Sequence, residues 1–353
     1  MDDPSLSGLE VIIPNLHWRY SGVTATSRMI APRLARLLPA AWLGRDAPKG
    51  IPRLNFGDLL RLRNLPAKRA RIWHARRNNE MIIGLLLKAL GWPLTLIFTS
   101  AAQRQHTWIS RWLMARMDGI IATSQAAASY LARPVQVIHH GIDTELYHPP
   151  ADRTALFAAT GFPGKYGIGC FGRLREQKGT DVFIDAMCAL LPRYPEFTAV
   201  IIGAVTPDQQ IFVRGLRARV EAAGLTERVR FLGELSITEV PLWYQRITIY
   251  AFTSRHEGFG LTLLEAMAAG NALIAARAGA ASQVVIDGLT GILVTPGDVP
   301  ALVAALEPLM RDPTQAEVFG RRARDRAVDD FGIDSEARAI ASFYEKVWRR
   351  SAR

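Results

Sequence analysis

The chain has 353 residues, 49% hydrophobic and 21% charged, with a formal net charge of +11. That length suggests roughly two domains, and the composition excludes a disordered chain, a collagen-like repeat and a disulfide scaffold. The two cysteines, Cys170 and Cys188, lie in apolar segments without metal-ligand spacing, which predicts reduced thiols in the cytoplasm.

The chain opens Met1-Asp2-Asp3-Pro4, acidic where a secretory signal would be basic. Strands are predicted at 11–13, 71–74, 94–98, 119–122 and 135–138, with helices over 24–38, 79–90 and 107–117 between them. The longest apolar stretch, 81–98, has the length of a membrane span, but Lys88 interrupts it and Gly91-Trp92-Pro93 would stop a helix. A helix feeding a short strand fits better, and no membrane span is expected. A second strand series follows at 166–171, 199–202, 229–231, 247–251, 272–275 and 291–294. Paired prolines at 149–150 coincide with a shift in charge. The predicted domains are therefore 1–148 and 149–334, followed by a helix over 335–353. Ala339, Phe343 and Val347 would form that helix's apolar stripe, packed back on the first domain. The fold class expected is α/β: two doubly wound, Rossmann-like domains facing across a cleft.

Charge is distributed unevenly. Residues 1–150 hold 19 Lys and Arg against 9 Asp and Glu, whereas 151–353 hold 24 against 23. The excess is densest from Arg45 to Arg77, where ten basic residues meet only Asp46 and Asp58. Such a face suits a polyanion: acidic lipid, a phosphorylated acceptor or nucleic acid. Trp42, Leu59, Leu60 and Leu62 either add apolar contacts there or pack in the core.

Gly167-Ile168-Gly169-Cys170-Phe171-Gly172 matches the dinucleotide fingerprint G-x-G-x-x-G, but its glycines lie inside a strand rather than in a turn opening a helix. Small residues on a crowded strand, with a neighbouring backbone close by, explain it better. The next turn, Gly172-Arg173-Leu174-Arg175-Glu176-Gln177-Lys178-Gly179, joins a strand's carboxyl end to a helix starting near Thr180. Cations and helix amides there suit a diphosphate. The most specific stretch is 254–270. It leaves a strand with Ser254-Arg255-His256, passes Glu257-Gly258-Phe259-Gly260-Leu261, and enters a helix that carries Glu265 and stops at Gly270. Its glycines let main-chain amides approach a ligand. Glu257 and Glu265 flank those amides and suit sugar hydroxyls. Together the groups describe a nucleotide-sugar site.

These motifs resemble family 4 of the retaining glycosyltransferases, which have the GT-B fold. Also similar are His140-Gly141-Ile142-Asp143, and Ala278-Gly279 followed by Asp287-Gly288 and Gly291. The resemblance implies that Glu257 contacts donor-sugar hydroxyls, Glu265 holds the ribose, and Arg173 and Lys178 bind the diphosphate. Gly22, Gly258, Phe259, Gly260 and Leu261 complete the implied donor site. Segments 21–24, 73–78 and 98–104 resemble more narrowly the lipopolysaccharide-core mannosyltransferases. This implies GDP-mannose as donor and an anionic, lipid-linked inner-core acceptor. Lys68, Arg69, Arg76, Arg77 and Arg104 would then meet the acceptor or the cytoplasmic leaflet of the inner membrane. His106, the nearest histidine to where many family members carry one, is the remaining candidate catalytic residue.

The reaction expected is hexosyl transfer with retention, the leaving phosphate taking the acceptor's proton. Double displacement with Glu257 as nucleophile is the rival mechanism. No metal or other cofactor is expected, because cations neutralise the diphosphate. A nucleotide-sugar epimerase of the same fold and a basic nucleic-acid-binding protein are the competing classes. The first lacks a convincing acid/base set and the second leaves Glu257 and Glu265 without purpose, so nucleic acid is not an expected partner.

Overall fold

The computed structural model describes residues 6–17, 22–65 and 67–351. The chain forms two compact units, residues 1–141 with 333–353 and residues 142–332. Among the described residues no helix is long and apolar enough to cross a membrane. The stretch from 81 to 98 splits as its breakers require, into the helix Asn78–Ala89, a turn at Gly91, and a strand from Leu94.

The first unit is built on β1 (Val11–Asn15), β2 (Ala40–Gly44), β3 (Arg53–Leu54), β4 (Arg71–Ala75), β5 (Leu94–Ser100), β6 (Gly119–Ala122) and β7 (Gln136–Val137). They pair in parallel in the order β3-β2-β1-β4-β5-β6-β7. A sheet covered on both faces needs strands apolar on both sides, and β5 is buried throughout. Helices Phe56–Leu62, Asn78–Ala89 and Trp108–Met114 cover one face, setting Leu59, Leu62, Met81, Leu87 and Leu113 against Trp73, Leu96, Phe98 and Ile120. Helices Gly22–Leu37 and Ile333–Ser351 cover the other, with Ile30, Leu34, Phe343 and Tyr344 against Ile13, Ile72 and Ile97.

Two expectations change here and one open choice is decided. Sequence periodicity missed β2 and β3: the first is alanine-rich and the second two residues long, so neither carries a β-branched run. Trp42, Leu59 and Leu62 are core residues, leaving only Leu60 of that group exposed. On the last helix Phe343 and Val347 are buried, but Ala339 is exposed. The buried face instead runs through Ile340, Phe343, Tyr344, Val347 and Trp348, because a wide core-facing stripe uses both the three- and four-residue spacings.

The second unit contains β8 (Tyr166–Phe171), β9 (Phe197–Ile202), β10 (Val229–Gly233), β11 (Ile247–Phe252), β12 (Ala272–Ala276) and β13 (Ile292–Val294). Their order is β10-β9-β8-β11-β12-β13, again parallel. The G-x-G-x-x-G match lies in β8 and the turn after it. A Cβ at Gly167 or Gly169 would meet the side chains of Phe157, Ile247 or Phe171, so side-chain crowding rather than a backbone approach demands glycine there. The chain enters this unit after Gly141, not at the paired prolines. The Tyr147 ring stands edge-on to Tyr244 at 5.8 Å, and Pro149 lies against Gly270. Prolines punctuate a chain locally, but packing decides which core a segment joins.

Candidate active site

β8 and β11 are neighbours, with β9 and β10 beyond one and β12 and β13 beyond the other. Strand order reverses there, the position where open α/β sheets bind ligands at their carboxyl ends. From β8 the chain turns through Gly172, Arg173 and a 3₁₀ turn, Glu176–Lys178, into the helix Thr180–Leu190. Gly179, at φ +66°, links turn and helix, and a Cβ on it would strike the Thr253 carbonyl oxygen after β11. From β11 the loop runs through Glu257 to Gly260, which opens the helix Leu261–Ala268 at φ +101° without a side-chain cap. Gly270, at φ +69°, follows that helix's end.

The two loops are laced together. The Arg255 N–H donates to the Gln177 carbonyl (2.8 Å), and Gln177 Nε2 donates to the His256 carbonyl (3.0 Å). The Arg255 guanidinium forks onto both oxygens of Asp181 at 2.7 Å and donates to the Glu176 carbonyl at 2.6 Å. Behind the loop, the Ala280 N–H donates to the Phe259 carbonyl (2.8 Å), and a Cβ on Gly279 would meet that carbonyl and the Glu257 Cβ.

Lys178 Nζ pairs with Glu257 Oε2, and the Gly258 N–H donates to Glu257 Oε1 at 3.2 Å. Tyr244 Oη donates to Glu265 Oε2 at 2.7 Å. Burial raises the Glu265 carboxyl above its usual range, opposed by hydrogen bonds from Tyr244 and Tyr147 and by the charge of Lys178. Burial and the Glu265 charge push the Tyr244 phenol well up, so it stays a proton donor. Arg173 is exposed and has no ion pair among the described residues. Lys178, Glu257, Gly258, Phe259, Gly260, Leu261 and Glu265 thus lie on the two laced loops of one unit and the helix Leu261–Ala268 that continues one of them, with Arg173 exposed on the turn that leads to Lys178. Tyr244, Tyr147, Asp181 and Arg255 support them. Sequence reasoning missed Tyr244 and Tyr147 because neither sits in a turn motif, whereas Arg255 lay in plain view beside Glu257.

The remaining expected site residues belong to the first unit. Gly22 is exposed at the start of the helix Gly22–Leu37, and Ser21 lies outside the described residues, as do Met1 to Pro4. His106 is part-buried after β5, its Nε2 unpartnered. Burial and the nearby Arg104 and Arg111 lower its pKa. Lys68 and Arg104 are exposed. Three arginines expected on the acceptor or membrane face are not free surface charges. Arg69 donates to Glu345 and Glu10 and lies over the Trp348 ring at 3.3 Å. Arg77 holds Glu80, Asn15 and Thr24, and Arg76 is buried. Capping and core contacts recruit long cationic side chains that a sequence shows only as charge. Among the described residues no three His, Cys, Asp or Glu side chains cluster as a metal site would need.

The profile described as "Glycosyl transferases group 1" matches residues 152–326. The lipopolysaccharide core biosynthesis mannosyltransferase LpcC of Rhizobium leguminosarum bv. viciae is 46% identical over 347 residues, 98% of each chain. The crystal structure of the C-terminal domain of a group 1 family glycosyl transferase, LpcC of Francisella tularensis, is 37% identical. It covers 55% of this chain and all of that one, with a TM-score of 0.53. Anabaena HepE, solved with UDP and glucose, matches 96% of this chain and all of its own at a TM-score of 0.79 and 22% identity, a likeness of GT-B fold. A relative this similar along its whole length, together with the site-bearing domain's own profile, makes this chain a member of the group 1 glycosyl transferases.

Proposed function

We propose that the protein transfers mannose from GDP-mannose, with retention at the anomeric carbon, to a lipid-linked lipopolysaccharide inner-core acceptor. One observation carries the reading: the Lys178–Glu257 pair stands beside the uncapped N-terminus of helix Leu261–Ala268, with Glu265 further along that helix. A diphosphate takes Lys178, Arg173 and the helix amides. Glu257 is then freed to accept from hexose hydroxyls, and Glu265 accepts from the ribose. The mannosyl donor and core acceptor follow the name of the Rhizobium relative. Charge growing on the departing phosphate is met by fixed donors, each worth about 3–4 kcal/mol when well placed. The departing oxygen takes the acceptor's proton, so no protein nucleophile or metal is needed. A panel of nucleotide-sugars with a deacylated core oligosaccharide tests this. GDP-mannose alone should support transfer, unaffected by chelator and giving an α-linked product. Trapping a mannosylated Glu257 would establish double displacement instead.

The acceptor's lipid places the reaction at the cytoplasmic leaflet of the inner membrane, and the attachment surface is the outer side of one helical layer. Phe56 and Leu60, Ile82 and Leu86, and Trp108, Ile109 and Trp112 are all exposed on the three helices that cover the same sheet face. Between residues 47 and 142 the only acids are Asp58, Glu80 and Asp118. Asp58 caps a helix, Glu80 is buried and Asp118 pairs with Lys88, whereas Arg61, Arg63, Lys68 and Arg111 stay exposed. Indole rings beside guanidinium groups suit the interface of an anionic bilayer.

A further inference from the structure

On the helix Leu261–Ala268, Leu263, Leu264, Ala266, Met267 and Ala268 are buried core residues. A carboxylate among them, Glu265, is costly unless hydrogen bonds compensate it. The compensation comes from two neutral phenols. Tyr244 Oη donates to Glu265 Oε2 at 2.7 Å, and Tyr147 makes the second side-chain hydrogen bond, while Lys178 favours the carboxylate through its charge. Tyr244 is 0% exposed and Tyr147 6%, whereas Glu265 keeps part of its surface open.

Both phenols are braced from behind. Besides the edge-on contact of Tyr147 with Tyr244, the rings of Phe171 and Tyr250 pack on Tyr244 at 4.8 and 5.5 Å. Each tyrosine's main chain is also tied by an arginine to the end of the helix that carries Glu265. The Arg153 guanidinium donates to the Tyr244 carbonyl at 2.9 Å and to the Ala269 carbonyl at 2.7 Å. The Arg324 guanidinium donates to the Tyr147 carbonyl at 2.8 Å and to the Ala268 carbonyl at 2.7 Å. Both cations sit where the helix dipole favours them. A buried tyrosine needs one acceptor for its O–H, and for Tyr250 the Phe171 carbonyl is enough. Two braced phenols on one acid do more, because they fix its orientation. A carboxylate offers roughly four acceptor positions on its two oxygens. The phenols take about half of them, and the rest fit two adjacent hydroxyls such as the 2′ and 3′ groups of a ribose. A missing hydroxyl would leave a desolvated acceptor unpaired, which is how a polar site rejects an analogue.

We propose that Tyr147 and Tyr244 are positioning residues that aim the Glu265 carboxylate at both hydroxyls of a ribose, so that the second unit selects ribonucleoside over 2′-deoxyribonucleoside diphosphates. That selection rests on the reading that Glu265 takes the ribose of a nucleotide-sugar.

Calorimetric titration of the full chain with GDP and 2′-deoxy-GDP, and with UDP and 2′-deoxy-UDP in parallel, tests this. For whichever base binds, the ribonucleotide should be held about tenfold to a hundredfold tighter than its 2′-deoxy analogue. Tyr244→Phe and Tyr147→Phe keep the rings and lose only the hydroxyls. Each should weaken the ribonucleotide about threefold to tenfold and the deoxynucleotide less, so that the ratio of the two affinities falls. A role in packing alone would leave that ratio where it stands in the parent. An unchanged ratio in both variants, each confirmed folded by its melting transition, would overturn the positioning role, as would a parent that binds both sugars equally. If one variant does not fold, the other decides. Glu265→Ala separates this role from the reading beneath it. Loss of the ratio in Glu265→Ala but not in either phenylalanine variant would leave Glu265 on the ribose and remove the phenols' part. A ratio preserved in Glu265→Ala would place the ribose elsewhere and overturn both. Absence of binding by either nucleoside diphosphate would sink the nucleotide-sugar reading itself.

Discussion

Burial raises the Glu265 carboxyl, so the folded protein holds that proton more tightly than the unfolded chain does. Stability from this group is therefore greatest at low pH and falls as pH rises from the ordinary carboxyl range into the raised one. Glu265→Gln keeps an acceptor for Tyr244 and removes the charge. Its melting temperature should match the parent near pH 4 and exceed it increasingly toward pH 7, while nucleoside diphosphate affinity drops about tenfold; thermal scans across pH and calorimetry check both. Lys178 makes the opposite bargain. Lys178→Ala leaves Glu257 without its cation and, in the proposed reaction, removes a donor to the departing phosphate, so kcat should fall about 10²- to 10³-fold, with a smaller change in acceptor KM. At this scale the candidate side chains were legible in the sequence, because acid, cation and glycine types stand together in one motif. It did not show that Lys178 and Glu257 would pair, nor that Tyr244 would hold Glu265, because those partners meet only through folding.

Loops and helices set how well those groups are aimed. The loop carrying Glu257 rests on Gly279, where φ is +62° and a Cβ would collide with the Phe259 carbonyl. Gly279→Ala should cost at least about 1–2 kcal/mol in urea unfolding and weaken donor binding by shifting that loop. On the first unit, Trp108 is 68% exposed and Trp112 48%, with Arg116 stacked 3.6 Å from the Trp112 ring centre. Replacing both rings by Ser should lower partition onto anionic vesicles about tenfold or more without altering the melting temperature, as sedimentation would show. Neither element was fully readable beforehand. Periodicity located the helix near 107–117, but only the packing of Leu113 and Met114 inward shows that its tryptophans face out.

The first unit's core is completed from the far end of the chain. Phe343, Tyr344, Val347 and Trp348 are buried against β1, β4 and β5, each worth about 1.5–3 kcal/mol. Ending the chain at Gly332 would remove all four, a loss comparable with the whole stability of an ordinary domain. Such a protein should lose one melting transition yet retain nucleoside diphosphate binding by residues 142–332, measurable by calorimetry.

Strand spacing, glycine turns and the acid-and-cation motif are local properties, so the residue order alone determined a two-domain parallel α/β chain and the loops that carry its candidate site. Side-chain partnership and burial depend on contacts between residues distant along the chain. Only the tertiary structure could therefore decide that Trp42 is core, that Arg69 and Arg77 serve neighbouring acids, and that the final helix presents Tyr344 rather than Ala339 to the sheet. The same contacts bury Arg76 within reach of the Glu336 and Glu80 charges, which favour its cation while burial opposes it.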